Sequence, residues 1–372
     1  MVHYDHLPRC GEESYTTDGS GWDHMEYSGR AMGHALMPTV WAHQKGCALF
    51  ICGVSGRRSL RDLLQEDGGG VSDTPGRAQV RRQKGARPDC NRANKTMERL
   101  YLSPGETIDA YSTAGRTKLR RSASSLLLLG ILAGAIIAVA AAATNTAVYG
   151  ISDTWTLRTI CALIFPFGLG LVVVTGAELF TGNCMLPITL LDGGGTIGQM
   201  LRNWVLVYIG NTLGALLVAG LCVFCGQLDY SSGALAVYTI RVGAGKCALS
   251  FWNGLGLGIL CNVLVCLGVL AANSAKETAG RLLGAYLPVC FFVLCGFEHS
   301  VADLYYVGAA LMAAAVPEHA AQAVAAGVDL APLGMAGAVS ALIPVTLGNI
   351  LGGAGLGALL WYCHGERGRS GR

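Results

Sequence analysis

Six apolar stretches follow one another between Ser124 and Cys363, covering residues 124–143, 159–191, 203–227, 247–272, 282–317 and 336–363. A bilayer core takes roughly 20 helical residues, so four of these predict one tilted span each. The second and fifth are too long for that and must break. The second, Thr159 to Leu191, is interrupted by Pro166, Gly168, Gly170, Gly176 and Gly182, with Glu178 as its only charge. The fifth, Leu282 to Pro317, carries Pro288, Gly296, Glu298, His299 and Asp303. Each is the middle segment of three, each holds a Gly-x-Glu step, and each is followed by Gly-Asn-x-x-Gly, at Gly210–Gly214 and Gly348–Gly352. Paired, interrupted spans in a duplicated membrane protein point to a solute site near the bilayer midplane. Three spans per half require the halves to run in opposite senses, related by a pseudo-twofold axis in the membrane plane. The expected fold is all-α, with six transmembrane helices in two inverted three-helix repeats.

Composition supports the membrane class. Apolar residues make up 52% of the chain and charged residues only 14%, against 52 glycines, which is poor in charge for a soluble domain. A net charge of +3 with no continuous basic face gives no reason to expect a nucleic-acid partner. Ten of the 14 cysteines lie in or at the ends of apolar segments, where a thiol behaves as a small hydrophobe. No disulfide framework, metal triad or cofactor signature is read from the rest. Cys222-x-x-Cys225 has no His or carboxylate beside it and is assigned no metal or redox role.

Residues 1–96 differ from everything that follows. They hold five of the eight histidines, many Gly and Ser, and no sustained helical or strand period. The expectation is a disordered extension, or an over-extended reading frame with Met97 as the natural start. Residues 97–123 are expected to form a cytoplasmic segment, 124–363 the transmembrane domain and 364–372 a cytoplasmic tail. Orientation follows from the connections: Arg116, Lys118, Arg120 and Arg121 precede the first span, Lys276 and Arg281 lie between the fourth and fifth, and Arg367, Arg369 and Arg372 follow the sixth. The opposite loops hold only Arg158, Arg241 and Lys246. Both ends are therefore expected on the cytoplasmic side of a cell membrane.

Within the apolar segments a few residues are candidates for chemistry. Glu178 and Glu298 are costly at membrane depth; the simplest reading is that each ties its broken segment together through freed backbone N–H groups. His299 is the one histidine inside an apolar segment, and imidazole can take, pass or donate a proton near neutrality. Thr181 could bring a hydroxyl to the same point from the other half, or simply bond its own helix backbone. Lys246, placed at the outer end of the fourth span, either concentrates small anions at a mouth or anchors the helix by snorkelling. Asn262, 16 residues further on, offers an amide near mid-depth. Phe165, Leu169, Leu179, Phe180, Val265 and Phe292 flank the breaks as ordinary packing or as dry constrictions that neutral molecules cross more easily than ions. The Gly-Asn-x-x-Gly segments read as close-packing faces, with Asn211 and Asn349 holding the nearby loops.

Several blocks resemble the formate/nitrite transporter family: Tyr101-Leu102-Ser103-Pro104 with Glu106, Gly176-Ala177-Glu178-Leu179-Phe180-Thr181-Gly182-Asn183, Arg202-Asn203-Trp204, Gly258 to Cys266, Gly296-Phe297-Glu298-His299-Ser300-Val301-Ala302, and Ile343-Pro344-Val345-Thr346-Leu347-Gly348-Asn349. The resemblance runs from about Tyr101 to Cys363. It implies an aquaporin-like protomer in a homopentamer, each protomer with its own pore for small monovalent anions or their acids: formate, nitrite, hydrosulfide, lactate or acetate. By motif position it makes His299 the central histidine, Thr181 the facing threonine, Lys246 and Asn262 the lysine and asparagine of the fourth helix, and the six apolar residues the two constrictions.

One departure stands out. Where the family commonly has Ala-Asn, this chain has Ala302-Asp303. Four residues from His299 on a continuous helix, the acid would share its face and favour the protonated imidazole. The expected function is thus proton-coupled or proton-gated passage of a weak-acid anion, without covalent chemistry. The alternative is a channel for water, ammonia or hydrogen sulfide. A hydrolase using Glu298 and His299 is disfavoured because neighbouring helical residues diverge and no nucleophile is identifiable.

Overall fold

The computed structural model describes residues 99–365. The expectations for residues 1–96, and for all but the first two residues of the 364–372 tail, lie outside the described residues. The described chain is helical, its β-structure being one isolated bridge between Tyr101 and Ala275.

Helix α1 (Pro104–Arg120) begins with a capping box, in which Ser103 and Glu106 satisfy each other's backbone N–H and Pro104 takes the first turn. Its buried residues Ile108, Tyr111, Ser112, Gly115 and Leu119 recur every three to four positions, so it lies as an amphipathic helix against the bundle. The first span is α2 (Ala123–Val148). The second comprises α3 (Thr154–Ile164) and α4 (Phe167–Thr175), joined at Pro166, and is followed by two short helices, α5 (Phe180–Asn183) and α6 (Pro187–Leu191). The third span is α7 (Ile197–Phe224).

The second half repeats this order. A helix, α8 (Ala234–Cys247), precedes the fourth span, α9 (Phe251–Ser274). The fifth is α10 (Thr278–Cys295), followed after a break by α11 (Ser300–Ala314) and α12 (Pro317–Ala325), and the sixth is α13 (Met335–His364). Six helices or helix pairs are long and apolar enough to cross a membrane, and α11 and α12 form a further apolar pair bent by 101°. Two details differ from the sequence reading. Pro288 sits inside α10 without ending it; the break comes at Gly296. Lys246 is not on the fourth span but in the last turn of α8, because the chain turns at Ala248 and restarts behind a Ser250 cap.

Glycine faces bring the helices of each half together in the same way. A Cβ on Gly210 of α7 would meet Leu127 O at 2.7 Å and Gly130 Cα at 2.9 Å in α2. In the other half a Cβ on Gly258 of α9 would meet Val345 O at 2.6 Å and Gly348 Cα of α13 at 3.2 Å. Only glycine permits this backbone approach, the usual device for packing helices in lipid. Outward, α7 exposes Leu201, Val205, Ile209, Leu213, Leu217 and Leu221 at every fourth position, an apolar stripe fit for a bilayer or a neighbouring protein.

Candidate functional site

Each broken span ends at a left-handed glycine, Gly176 with φ 66° and Gly296 with φ 71°, a conformation that costs a side chain dearly. The freed backbone groups are then met by amide side chains from the last span of the same half. Asn211 Oδ1 accepts from the Phe180 N–H at 2.9 Å, while its Nδ2 donates to Gly130 O at 2.8 Å and Glu178 O at 2.9 Å. Asn349 repeats the pattern: Oδ1 accepts from the Ser300 N–H at 2.9 Å, and Nδ2 donates to Gly258 O at 2.8 Å and Glu298 O at 3.1 Å. Both asparagines are fully buried, where unpaired backbone would be expensive.

The glutamates are therefore left to side-chain partners, not to backbone N–H groups. Lys118 Nζ donates to Glu178 Oε2 at 2.7 Å, Asn183 Nδ2 donates to the same oxygen at 2.8 Å, and Arg121 Nε lies 3.4 Å from Oε1. In the second half Lys246 Nζ donates to Glu298 Oε2 at 2.5 Å and lies 2.7 Å from Asp303 Oδ1. Asp303 thus engages the lysine, which corrects the expectation that it faces His299. The i to i+4 argument fails because His299 has extended backbone and is the N-cap of α11, not a residue within it.

At the centre the His299 ring is held from two sides. Its Nδ1 accepts from the Ala302 N–H at 3.1 Å, and its Nε2 lies 2.9 Å from Thr181 Oγ1. Because the backbone N–H can only donate, Nδ1 carries a lone pair and the neutral ring has its proton on Nε2, directed at the threonine. Asn262 Nδ2 donates to Thr181 O at 3.1 Å and Asn349 O at 2.5 Å, so it ties the first break to α13 while its Oδ1 has no protein partner. The imidazole stacks on Phe292 at 5.9 Å, and Phe292 meets Phe165 edge-on at 6.0 Å.

Two cavities approach this centre from opposite ends of the bundle. One, of about 300 Å³, includes Asn145, Arg158, Phe165, Lys246, Phe292, Glu298, His299 and Asp303 in its wall. The other, of about 340 Å³, includes Tyr111, Lys118, Arg121, Leu169, Glu178 and Leu179. Arg121 and Asn145 stand at the two ends of α2, roughly 35 Å apart at 1.5 Å per residue. Thr181, Asn262, Phe180 and Val265 border neither cavity; all four are buried, and the Phe180 ring packs on Tyr208 at 4.8 Å and Trp204 at 6.4 Å.

A family model described as formate/nitrite transporter matches residues 105–363. The chain is 33% identical over 287 residues to a probable formate transporter of Methanothermobacter thermautotrophicus, an alignment covering 71% of this chain and 97% of the relative. It is 33% identical over 271 residues to the formate channel FocA of Haemophilus influenzae, covering 70% and 94%. Among solved structures it resembles a pentameric formate channel with formate bound, at 32% identity and a TM-score of 0.57, covering 64% of this chain and 96% of that one. The chain belongs to the formate/nitrite transporter family. It is a multi-pass membrane protein of a transporter and channel family, not of an enzyme family.

In this family member, the partner of Glu178 went unrecognised in the sequence. Lys118 and Lys246 each stand five residues before the first residue of their half's first span, Ala123 and Phe251. That shared offset was the available signal. Tyr111 was missed as well; its hydroxyl donates to Gly182 O at 2.8 Å and pins α1 beneath the first break.

Proposed function

We propose that this protein conducts a small monovalent weak-acid anion, formate or nitrite or a related anion such as hydrosulfide, acetate or lactate, with a proton supplied at the central histidine. The observation that carries the reading is the hydrogen bond between Thr181 and His299, which lies between two cavities opening at opposite ends of the bundle. An anion entering either cavity meets apolar residues, Phe165 and Phe292 on one side and Leu169 and Leu179 on the other. Such a belt admits a neutral acid far more readily than its anion. With the His299 Nε2 proton directed at Thr181 Oγ1, the threonine keeps its own hydroxyl proton to donate to the anion; the imidazole replaces that proton from Nε2 and takes one up from water in the cavity it borders, so that the ring ends neutral. Val265 and Phe180 complete the dry layer, and Asn262 fixes the Thr181 backbone, with its free Oδ1 available to an acid's O–H. Glu178, Glu298, Asn211 and Asn349 hold the two breaks in register.

The solved relative is a pentamer, and the exposed leucine stripe of α7 suits the same arrangement, a homopentamer in the cell membrane with one pore per protomer. The arginine and lysine bias of the connections favours both ends on the cytoplasmic side. Flux into proteoliposomes tests the central claim: passage of formate or nitrite should be fast, rise as the external pH falls, and drop in His299→Ala. Equal flux in that variant would remove the proton relay, and swelling by water or ammonia without anion flux would favour a neutral-solute channel.

A further inference from the structure

Two permanently charged cations line the 300 Å³ cavity, Arg158 and Lys246, and they are in opposite situations. Lys246 Nζ is 2.5 Å from Glu298 and 2.7 Å from Asp303 and sits 5.2 Å from the centre of the Tyr306 ring. Two carboxyl groups engage that one ammonium, so its charge is already offset inside the protein and little of it is left to attract an anion. Arg158, exposed on α3, has no carboxylate within ion-pair distance among the described residues; one N–H, on Nη1, donates to Leu294 O at 3.2 Å. That leaves four of its five donors uncommitted.

The backbone makes room for this guanidinium. Leu294 lies in the last turn of α10, where carbonyls lack helical partners, and Arg158 serves as an external cap. At the next residue but one, Gly296, a Cβ would lie 2.6 Å from Arg158 Nη1. The glycine that permits the break therefore also permits the arginine to reach over it, towards the segment that carries Glu298 and His299.

We infer that Arg158, not Lys246, takes up the anion at this mouth, and that its planar fork favours anions with two acceptor oxygens, such as formate and nitrite, over hydrosulfide. The inference rests on the transport function proposed above. A guanidinium matches a carboxylate or nitrite through two parallel N–H···O bonds, whereas a single sulfur engages it as a point charge.

Initial rates for formate, nitrite and hydrosulfide in proteoliposomes of the full chain, at fixed pH and ionic strength, separate KM from Vmax for wild type, Arg158→Gln and Arg158→Lys. Loss of a partly solvated charge-assisted pair should raise the formate and nitrite KM of Arg158→Gln about tenfold, and that of hydrosulfide no more than about threefold. Arg158→Lys should restore the hydrosulfide value but leave the oxyanion KM raised. It also carries the test if the glutamine variant does not fold. Unshifted KM values in Arg158→Gln, the same proportional rise for all three anions, or full rescue by lysine would overturn the inference while leaving transport intact. A wild-type protein that passes none of the three would instead end the transport reading, and this inference with it.

Discussion

His299 Nε2 lies 2.9 Å from Thr181 Oγ1, so the broken segments of the two halves meet through a hydrogen bond between buried side chains. Thr181→Val keeps the shape of the residue and removes the acceptor, leaving an unpaired buried N–H at a cost of about 1–3 kcal/mol. Because the two groups act as a unit, Thr181→Val and His299→Ala should each reduce formate flux by at least about tenfold, and the double variant should be little worse than either. Proteoliposome flux across this double-mutant cycle is the measurement; losses that multiply would mean the two side chains work independently.

Asn349 meets three buried backbone groups, at Ser300, Gly258 and Glu298, and Asn211 meets the equivalent three in the first half. Alanine at either position removes three hydrogen bonds and leaves the N–H and carbonyl at the break, Phe180 and Glu178 or Ser300 and Glu298, without partners, which should destabilise the fold by about 3 kcal/mol. Thermal unfolding in detergent should show a similar drop for both variants, and almost none for Leu347→Ala, whose side chain is 43% exposed. Different drops for the two asparagines would show that the halves do not rely on them equally.

The six spans and their inverted repeat were legible because the apolar runs are long and the Gly-x-Glu and Gly-Asn-x-x-Gly steps recur at matching places. Helix ends were less so: α2 continues to Val148, past the last strongly apolar run, since Thr144 and Asn145 can still pair inside the bundle. Helix α8 escaped because Arg241, Gly243, Gly245 and Lys246 dilute its apolar pattern. At the site, Thr181, His299 and Asn262 could be picked out as residue types, but not the way in which Asn262 ties the first break to α13. Asp303 was misplaced for a specific reason: periodicity assumes a continuous helix, and this helix starts one residue after His299. Lys118 carries only an orientation signal in the sequence, since nothing local marks it as the partner of a carboxylate 60 residues away.

Asp303 draws on the same ammonium as Glu298, with Lys246 Nζ 2.7 Å from its Oδ1. The opposite end of the bundle has the reverse balance, two cations, Lys118 and Arg121, around the single carboxylate of Glu178. Asp303→Asn takes away the second carboxyl that competes for the Lys246 ammonium and keeps the Lys246–Glu298 pair. The KM for formate entering through this cavity should fall about threefold at low salt, and the gain should shrink as ionic strength rises and charges in the water-filled mouth are screened. Uptake assays at two salt concentrations check this; a salt-independent change would point to altered packing instead of altered charge.

Asp192, in the loop after α6 and outside the spans, ties α1 to α13. Ser112 Oγ donates to its Oδ2 at 2.7 Å, Trp361 Nε1 donates to Oδ1 at 3.2 Å, and Arg116 Nη2 lies 3.6 Å from Oδ2. Burial alone would lift this carboxyl, but the hydrogen bonds from Ser112 and Trp361 and the charge of Arg116 outweigh it and hold the group below its ordinary value of 3.8. A carboxyl depressed in the folded state stabilises it above the unfolded value, and that contribution is lost as pH falls through the folded value. At neutral pH, Asp192→Asn should therefore speed hydrogen exchange across α1, because the charge-assisted bonds from Ser112 and Trp361 are weakened. As the pH is lowered through the folded value, which lies below 3.8, wild type and variant should converge after correction for intrinsic exchange rates. A gap that stays constant over the whole range would mean that the carboxylate charge plays no part in docking α1.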